Sequence, residues 1–397
     1  MFDSLEASKP DVILALMTAF RADERPNKID LGVGIYKNSS GKTPVMKAVQ
    51  DAESRLLATQ ETKSYVGPAG DAAFCQGMRD LVLGTDHDAT RARSIQTPGG
   101  SGALRVIADM LIATNPKATT WLSDPTWPNH IPIFQHAGHQ LKNYTYYDAS
   151  RNQLDFDAMM RDLARAKAGD IVLLHGCCHN PTGADLEPQH WQAIGELCNK
   201  NGLFPFVDLA YQGFGESLEA DAEGARTLAN MVPEMAVASS CSKNLSLYRE
   251  RVGAALLLGR DASAADRAVA KLTGIVRYNY SMPPDHGASV TREIFQDAAL
   301  TSDWKEELES MRLRMQKLRT DLAAALRQRS NSERFDYIAE QKGMFSRLPL
   351  TTNQIDVLRE QHAIYIVGDG RMNVAGLPDD GLDDLASTLI KVMSEVD

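Results

Sequence analysis

The sequence lacks the excess of positive charge that nucleic-acid-binding proteins usually carry. Its 397 residues include 42 Lys and Arg against 52 Asp and Glu, which gives a formal net charge of -10. Binding along a phosphate backbone needs a basic face, so we expect no nucleic-acid partner. A local pocket for a single anion stays compatible with this charge.

Long apolar runs are missing as well. No stretch approaches the roughly 20 residues that a membrane helix needs. The first residues have neither the basic region nor the small-residue cleavage site of a signal peptide. We therefore predict no membrane segment and a cytoplasmic location. The five cysteines, an odd number in a long chain, do not suggest a disulfide framework.

What remains is an ordinary globular composition, with 43% hydrophobic and 24% charged residues. In the middle of the chain, apolar runs alternate with helical patterns, which predicts an α/β fold with a mostly parallel sheet covered by helices. Predicted strands are Thr119–Ser123, Ile171–Cys177, Leu203–Asp208, Met235–Ser239 and Val252–Leu258, and predicted helices are Ala103–Ala113, Asp155–Ala168, Glu187–Asn201 and Ala222–Met231.

The pattern changes beyond residue 277. Apolar residues at three- and four-residue spacing predict a long amphipathic helix over Asp303–Arg329. The C-terminal part reads as a smaller α+β unit that ends in a helix over Leu382–Val396, and an N-terminal helix over Pro10–Arg21 is expected to pack with it. We assign residues 45–310 to a large domain and residues 1–44 with 311–397 to a small one.

The clearest chemical signal is Ser-Ser-Cys-Ser-Lys-Asn at positions 239–244, directly after a predicted strand. A lysine that is partly desolvated beside other cations loses part of its preference for the charged form and becomes a Schiff-base nucleophile. Around Lys243, the hydroxyls of Ser240 and Ser242 and the guanidinium of Arg251 are donors suited to a phosphate. A surface lysine remains the ordinary alternative for so short a motif.

Polar residues also follow two other predicted strands. Asp208 and Tyr211 come at the end of one, and Asn180 follows another, where open α/β sheets bind ligands. A buried carboxylate needs a partner, and a protonated pyridine nitrogen is the partner that this set suggests. Trp127, in a loop with prolines, is placed to present its ring to a flat ligand.

The glycine-rich segment Thr97–Arg105 opens a predicted helix and offers backbone N–H groups and the Ser101 hydroxyl to a phosphate. As a dinucleotide fingerprint it is incomplete, and no strand clearly precedes it.

A metal site is not expected from the His175–His179 segment, although it holds two His and two Cys. Adjacent residues on a strand point to opposite faces, so these four side chains should not converge as ligands. Their spacing also fits none of the usual zinc patterns. We predict no metal, and we expect His130 to support the site without acting as its catalyst.

Together, these segments resemble the fold-type I, class I pyridoxal-phosphate aminotransferases, and within them the aspartate and aromatic aminotransferase subgroup. The resemblance runs in order across nearly the whole chain. Its segments are Asp30–Lys37, Thr97–Arg105, Asp124–His130, His175–Gly183, Asp208–Phe214, Ser242–Gly253, Arg277–Ser281 and Gly370–Gly376.

The resemblance implies pyridoxal 5′-phosphate as cofactor, held in the large domain. Lys243 would form the Schiff base with it and then shuttle the proton between the substrate α-carbon and the cofactor. Asp208 would pair with the pyridine nitrogen, Tyr211 and Asn180 would hydrogen-bond the ring oxygen, and Trp127 would stack on the ring. The phosphate would be held by Gly100, Ser101, Ser240, Ser242 and Arg251, with Tyr65 from the neighbouring subunit of a homodimer with shared active sites.

The resemblance also implies the substrates, which are amino acids and 2-oxo acids. Arg371 would clamp the α-carboxylate, because a guanidinium forms a bidentate pair better than an ammonium does. Arg277 would meet the distal carboxylate of a dicarboxylic substrate across the dimer interface. Gly34, Trp127 and Asn180 complete the implied substrate site. The implied reaction is transamination between aromatic or acidic L-amino acids and 2-oxoglutarate.

The specificity markers of the subgroup disagree in this sequence. Ser101 resembles the aromatic branch, which often has Ser where the aspartate branch has Thr, and Met282 stands where the aspartate branch usually has Asn. Lys37, in contrast, is like the aspartate branch. We therefore expect dual specificity. A strict aspartate aminotransferase, another reaction of the same cofactor and a cofactor-binding regulator of the same fold remain alternatives. A Ser-x-x-Lys acyl-enzyme hydrolase is disfavoured, since Pro44 follows Lys42–Thr43 where that class needs Lys-Thr-Gly.

Overall fold

A computed structural model describes residues 2–5 and 12–396 of the chain. The chain divides into two compact units. The larger is Pro44–Arg314, and the smaller combines the described residues up to Thr43 with those from Met315 onward. Among the described residues, no helix combines the length and the apolar character needed to cross a membrane.

The helices follow the predicted pattern, with shifted ends. The predicted N-terminal helix is observed from Val12, while Pro10 and Asp11 lie outside the described residues. In chain order the helices are α1 (Val12–Ala22), α2 (Lys47–Thr59), α3 (Ala72–Leu83), α4 (Gly99–Thr114), α5 (His130–Ala137), α6 (Phe156–Leu163), α7 (Pro188–Asn201), α8 (Glu223–Met231), α9 (Ala262–Asn279), α10 (His286–Gln296), α11 (Ala298–Ser330), α12 (Tyr337–Glu340), α13 (Thr352–His362) and α14 (Leu382–Glu395).

The strands form one large sheet and three short pairs. In chain order they are β1 (Ile29–Asp30), β2 (Ala92–Pro98), β3 (Thr119–Asp124), β4 (Gln140–Thr145), β5 (Tyr147–Asp148), β6 (Gln153–Leu154), β7 (Ile171–His175), β8 (Phe204–Leu209), β9 (Met235–Ser240), β10 (Val252–Leu258), β11 (Phe345–Arg347), β12 (Ile364–Tyr365) and β13 (Arg371–Asn373).

The sheet of the larger unit has seven strands in the order β2-β10-β9-β8-β7-β3-β4. Strand β10 runs antiparallel to β2 and β9, and the other neighbours are parallel. Every residue of β7, β9 and β10 is buried, as expected for strands covered on both faces. The predicted α/β fold with a mostly parallel sheet is confirmed.

The carboxyl ends of the parallel strands lie level with one another. His175 at the end of β7 pairs with Asp208 in β8, and Leu209 pairs with Ser239 in β9. Because parallel strands end at the same sheet edge, the chemistry-bearing segments that follow them are brought together there.

The expectation that no strand precedes the glycine-rich segment is wrong, since β2 ends at Pro98, directly before α4. The polar residues of β2 hide the apolar pattern that would predict a strand, but their side chains are hydrogen-bonded. Gln96 is fully buried, accepts from the Asp71 N–H at 3.0 Å and donates to the Pro284 carbonyl at 2.6 Å. Polar residues can line a buried strand when each one is hydrogen-bonded.

Two predicted elements end earlier than expected. Strand β7 stops at His175, and Cys178 has the left-handed φ of 52°, which a strand cannot continue through. Helix α6 stops at Leu163, because the next bonds, from Arg165 to Asp162 and from Ala166 to Leu163, tighten to three-residue spacing.

The smaller unit has its own core. Leu31 from the N-terminal part packs with the end of α11, α13 and α14 in one buried cluster. Strand β1 pairs in parallel with β12, and β11 pairs antiparallel with β13. The predicted apolar stripe of the long helix is buried along its length, as Leu308, Met311, Met315, Leu318, Leu322 and Leu326 show.

Ser246, in the turn after β9, has an unfavourable backbone conformation and an unfavourable side-chain environment. Its N–H donates to the Lys243 carbonyl at 3.0 Å, and its φ is 53°, in the left-handed region. Its hydroxyl is buried and has no hydrogen-bond partner among the described residues. A Cβ in this region costs about 1 to 2 kcal/mol, and a buried orphan hydroxyl adds to that cost.

We expect Ser246→Gly to raise the free energy of unfolding by about 1 kcal/mol, the gain that remains after the extra backbone entropy of glycine is subtracted. Thermal unfolding of the two proteins measures the change. Ser246→Ala is the control, since it removes the hydroxyl and keeps the Cβ. A Gly variant no more stable than the Ala variant would contradict the strain at Ser246.

Candidate active site

Lys243 lies three residues beyond the end of β9, in the turn that leads to β10. Its Nζ stands over the ring of Tyr211, 4.7 Å from the ring centroid. Burial lowers the pKa of the Lys243 ammonium to about 8, with Asp208 opposing the shift and Arg251 adding to it. Near neutral pH, a useful fraction of this amine is therefore uncharged and nucleophilic.

Asp208 is a buried carboxylate next to that amine. It is 8% exposed, and its Oδ2 accepts from the Nε2 of His130 at 3.0 Å. Burial alone would raise the pKa of Asp208. The hydrogen bond from His130, together with the electrostatic influence of His130, His175 and Lys243, holds that pKa below its ordinary value. The group therefore stays a carboxylate and can pair with a positive ligand atom.

A chain of hydrogen bonds continues behind Asp208. Thr126 Oγ1 lies 2.8 Å from Nδ1 of His130 and 3.2 Å from Nε2 of His175. Burial, with His130 adding to it, lowers the pKa of His175 to about 3, so this ring is neutral at ordinary pH. If His175 donates its proton to Thr126, the threonine hydroxyl can donate to His130, which in turn donates to Asp208. The order of donors fixes the His130 ring in one orientation.

Tyr211 and Asn180 meet at the same strand edge. Both are buried, and the Asn180 amide donates to the Tyr211 hydroxyl at 3.5 Å. Trp127 stands with its ring edge toward His130, at 5.2 Å between centroids. The structure thus brings Lys243, Asp208, Tyr211 and Asn180 into one neighbourhood, with Trp127 attached through His130.

Next to the lysine, the start of α4 faces an arginine and two serines. Helix α4 has no side-chain cap at its N-terminus, so the N–H groups of its first turn remain available. The Arg251 guanidinium lies so close to Gly99 that a Cβ there would be 2.5 Å from Nη2. It donates to Ser242 Oγ at 3.4 Å, and Ser240 Oγ accepts from the Ser242 N–H at 3.2 Å.

Glycine is required at two places in this cradle. A Cβ at Gly253, which pairs with Ser240, would lie 2.6 Å from the Gly99 carbonyl carbon. A Cβ at Gly100 would lie 3.2 Å from Cβ of Ser240. Ser101 follows in the first turn of α4 and is partly buried. Backbone N–H groups, hydroxyls and a guanidinium around a bare backbone form a site for a phosphate-sized anion.

Two of the predicted site residues lie on the surface of the single chain. Tyr65 is 89% exposed. Arg277, in the last turn of α9, is also exposed, and its Nη1 contacts the Ser281 hydroxyl. Their predicted roles in a neighbouring subunit's site stay predictions.

In the smaller unit, Arg371 is 3% exposed although it carries a charge. Its guanidinium lies 4.6 Å from the centroid of the Phe345 ring, and Nη2 donates to the Gly32 carbonyl at 3.1 Å. Gly34 borders the same ring, because a Cβ there would lie 2.8 Å from Cζ of Phe345. The arginine is thus held over an aromatic face and bonded to a backbone carbonyl, which restricts the direction of its guanidinium.

Within the His175–His179 segment, the two cysteines come together, contrary to the expectation from strand alternation. Since β7 ends at His175, the strand alternation does not extend to the cysteines, and the thiols of Cys177 and Cys178 lie within 4.8 Å of each other and of an Asp221 oxygen. The Asp221 carboxylate accepts N–H groups from Gly213, Gly215 and Glu216, each at 2.8 Å. Its evident task is to order the loop after β8.

Sequence reasoning missed Thr126 and the place of His175 beneath Asp208. Thr126, which follows Pro125 in a loop, belongs to no sequence motif that would indicate a role in the site. The predicted strand extends to Cys177, so level strand ends would place Cys177 beside Asp208. Only the observed end of β7 at His175 gives the pairing of His175 with Asp208. The hydrogen bond between His175 and Thr126 is a tertiary contact that no local pattern indicates.

The chain matches the family model described as aminotransferase class I and II over residues 26–389. It is 46% identical to an aromatic-amino-acid aminotransferase of Paracoccus denitrificans, with 99% of this chain and 100% of that protein covered. It is 45% identical to an aspartate aminotransferase of Salmonella typhi, with the same coverage.

A solved structure agrees with these relatives. An aromatic-amino-acid aminotransferase from Burkholderia pseudomallei, covalently bound to pyridoxal phosphate, superposes with a TM-score of 0.96 at 41% identity and covers 99% of both chains. Family, fold and ordered site segments agree over nearly the whole length. The chain belongs to the class I and II aminotransferases.

Proposed function

We propose that this protein is a pyridoxal-phosphate-dependent aminotransferase that moves an amino group between aromatic or acidic L-amino acids and 2-oxoglutarate. The observation that carries the proposal is the pairing of an amine of lowered pKa, Lys243, with the fixed carboxylate of Asp208. An acyl-enzyme hydrolase has no use for that carboxylate. A cofactor-binding regulator has no use for an arginine held ready for a substrate carboxylate.

The donor set fits the cofactor group by group. Lys243 offers an amine to its aldehyde, and Asp208 offers a carboxylate to its pyridine nitrogen. The Asn180–Tyr211 pair offers donors to the ring oxygen. The N-terminus of α4 and Arg251 offer an anion cradle to its phosphate. When bound, the cofactor supplies an electron sink for the electron pair left on the substrate α-carbon.

The residues of the chain then handle protons and charge. As a free amine, Lys243 Nζ would take up the α-proton of the substrate, and as an ammonium it would give that proton back. A pKa near 8 suits this exchange, because both protonation states are populated at working pH. Asp208 stays negative and keeps a proton on the ring nitrogen, while His130 and Thr126 keep the carboxylate in place.

Arg371 is proposed to bind the α-carboxylate of every substrate. Its guanidinium is buried and held against Phe345, so little side-chain entropy is lost when a carboxylate arrives. Arg277 is proposed to bind the distal carboxylate of acidic substrates. With an aromatic substrate, this side chain would have to swing away, since a buried unpaired guanidinium against an aromatic ring would be costly.

We further propose that the enzyme works as a homodimer with shared sites. Tyr65 is 89% exposed and Tyr278, next to Arg277, is 72% exposed. Large exposed aromatic side chains are typical of protein interfaces. A partner chain that covers both would bring Tyr65 to the phosphate cradle and Arg277 to the substrate of the other subunit.

Borohydride reduction of the cofactor-loaded protein, followed by peptide mapping, tests the central assignment. We expect a pyridoxyl group on Lys243, because its amine combines a lowered pKa with a neighbouring anion cradle. A Lys243→Arg protein treated in the same way is the control and should carry no stable label. Label on a different lysine of the parent protein would refute the proposed site.

The lowered pKa of Lys243 makes a second prediction. In the cofactor-free protein, labelling with trace acetic anhydride and mass spectrometry should show an apparent pKa of about 8 for Lys243. Asp208→Asn should lower it further, because the carboxylate favours the ammonium, and Arg251→Gln should raise it. Reactivity that follows the ordinary pKa of about 10.4 would contradict the electrostatic picture.

The Arg277→Leu variant tests the proposed substrate range. Half-reaction rates are measured for acidic and aromatic donors, and turnover with 2-oxoglutarate as acceptor is measured for the aromatic donors. We expect kcat/KM for aspartate and glutamate to fall by an amount equivalent to about 2 to 4 kcal/mol of lost transition-state binding. The kcat/KM for phenylalanine should fall far less.

Arg267→Leu is the matched control, since Arg267 lies on the same helix and bonds only the nearby Ser263 hydroxyl in the described contacts, at 2.7 Å. It should leave both donor classes unchanged. Equal losses for acidic and aromatic donors in Arg277→Leu, or no aromatic activity in the parent protein, would defeat dual specificity.

A further inference from the structure

Arg319 is a charged residue buried in the smaller unit. It lies in the second half of α11 and is 2% exposed. Its donors bond the carbonyls of Ile338 at 3.0 Å, Lys342 at 3.0 Å, Gly343 at 2.8 Å and Phe345 at 2.6 Å. A buried guanidinium is tolerated only when its donors are satisfied in this way.

All of these acceptors lie in one short stretch, residues 338–346, which runs from within α12 into β11; we call it the carbonyl loop. Arg319 Nη1 also donates to the Ser346 hydroxyl at 2.6 Å, and that hydroxyl donates to Oε1 of Gln341 at 2.6 Å. The planar fork thus ties the two ends of the loop to one helix. A loop held at five places by one rigid group has little freedom to shift.

The carbonyl loop carries Phe345, the residue on which the Arg371 guanidinium rests at 4.6 Å. The Phe345 carbonyl is one of the closest acceptors of Arg319. Strand β11, which begins at Phe345, also pairs with β13, where Arg371 lies opposite Arg347. Arg319 and Arg371 are therefore joined through a single aromatic residue.

Arg319 does more than fill space in the core of the smaller unit, because its donors satisfy several carbonyls at once. The surrounding core already contains Leu318, Leu322 and Leu326 of the same helix. An apolar side chain of similar volume could fill the same space, but it would leave the buried carbonyls of Gly343 and Phe345 without these donors, which costs stability. What the apolar side chain cannot supply is a set of directed hydrogen bonds that fixes a loop in one conformation.

We propose that Arg319 is a positioning residue for substrate carboxylate binding: it fixes the carbonyl loop, so that the Phe345 ring holds Arg371 in the orientation that a carboxylate needs. The inference rests on the proposed function, in which Arg371 binds the substrate α-carboxylate. Arg319 itself touches neither substrate nor cofactor in this assignment.

The test uses the cofactor-loaded enzyme and maleate, a dicarboxylate probe, with Kd measured by titration of the cofactor absorbance. Arg319→Lys keeps the charge and loses the planar fork. We expect it to raise the Kd of maleate and the KM of the amino donor by about tenfold, with kcat changed less than about threefold. Ser346→Ala, a milder change, should move Kd in the same direction and serves if Arg319→Lys does not fold.

Two further variants separate positioning from general loosening. Leu322→Ala, in the same core, should lower the midpoint of thermal unfolding yet leave the Kd of maleate within about twofold of the parent. Phe345→Leu should raise Kd as Arg319→Lys does, and the double variant should be no worse than Phe345→Leu alone, because both changes act through one ring.

Parent-like maleate binding in Arg319→Lys and Ser346→Ala would overturn the inference, as would fully additive effects in the double variant. Arg371→Leu identifies the source of a failure. If it weakens maleate binding while Arg319→Lys does not, the inference alone is wrong. If Arg371→Leu binds maleate as the parent does, the proposed carboxylate site is wrong, and the inference falls with it.

Discussion

The negative charge of Asp208 is the constraint on which the rest of the site depends. It must survive at the end of a buried strand, where desolvation favours the neutral acid. His130 preserves it by donating a hydrogen bond at 3.0 Å. The carboxylate in turn keeps the pKa of Lys243 from falling further. Without the charge, the Lys243 ammonium would lose its proton more readily. A protonated pyridine ring of the cofactor would also lose its negative partner. The histidine network therefore sets the electrostatics of both groups.

The one reversed strand of the large sheet completes the anion cradle. Strands β2 and β9 run toward the same edge and lie on either side of antiparallel β10. At that edge, β2 leads into Gly99 and β9 ends at Ser240, while β10 has just begun after Arg251. The ends of two strands and the start of a third thus meet within a few ångströms. A purely parallel arrangement would have sent the start of the next strand to the opposite edge.

The fold and the family could be predicted because their signals are local. Five apolar runs predicted β3, β7, β8, β9 and β10 to within two residues, since strands covered on both faces are continuous in hydrophobicity. Strand β2 was missed because its burial depends on partners such as Gln96 with Pro284, which are distant in sequence. The bend at Cys178 and the bonds of Arg319 depend likewise on tertiary contacts. An arginine in an amphipathic helix gives no hint that its charge points inward.

The smaller unit has a consequence for synthesis on the ribosome. Its parallel pair joins Ile29 to Ile364, and apart from Leu31 the buried members of its core cluster all come from Leu318 onward. At about 5 to 20 residues per second, the early segment waits roughly 20 to 70 s for its strand partner to be translated. During that time its apolar residues and strand edge lack their native neighbours. The nascent chain is thus most exposed to aggregation and to chaperones at its beginning, even after the Pro44–Arg314 unit has been made.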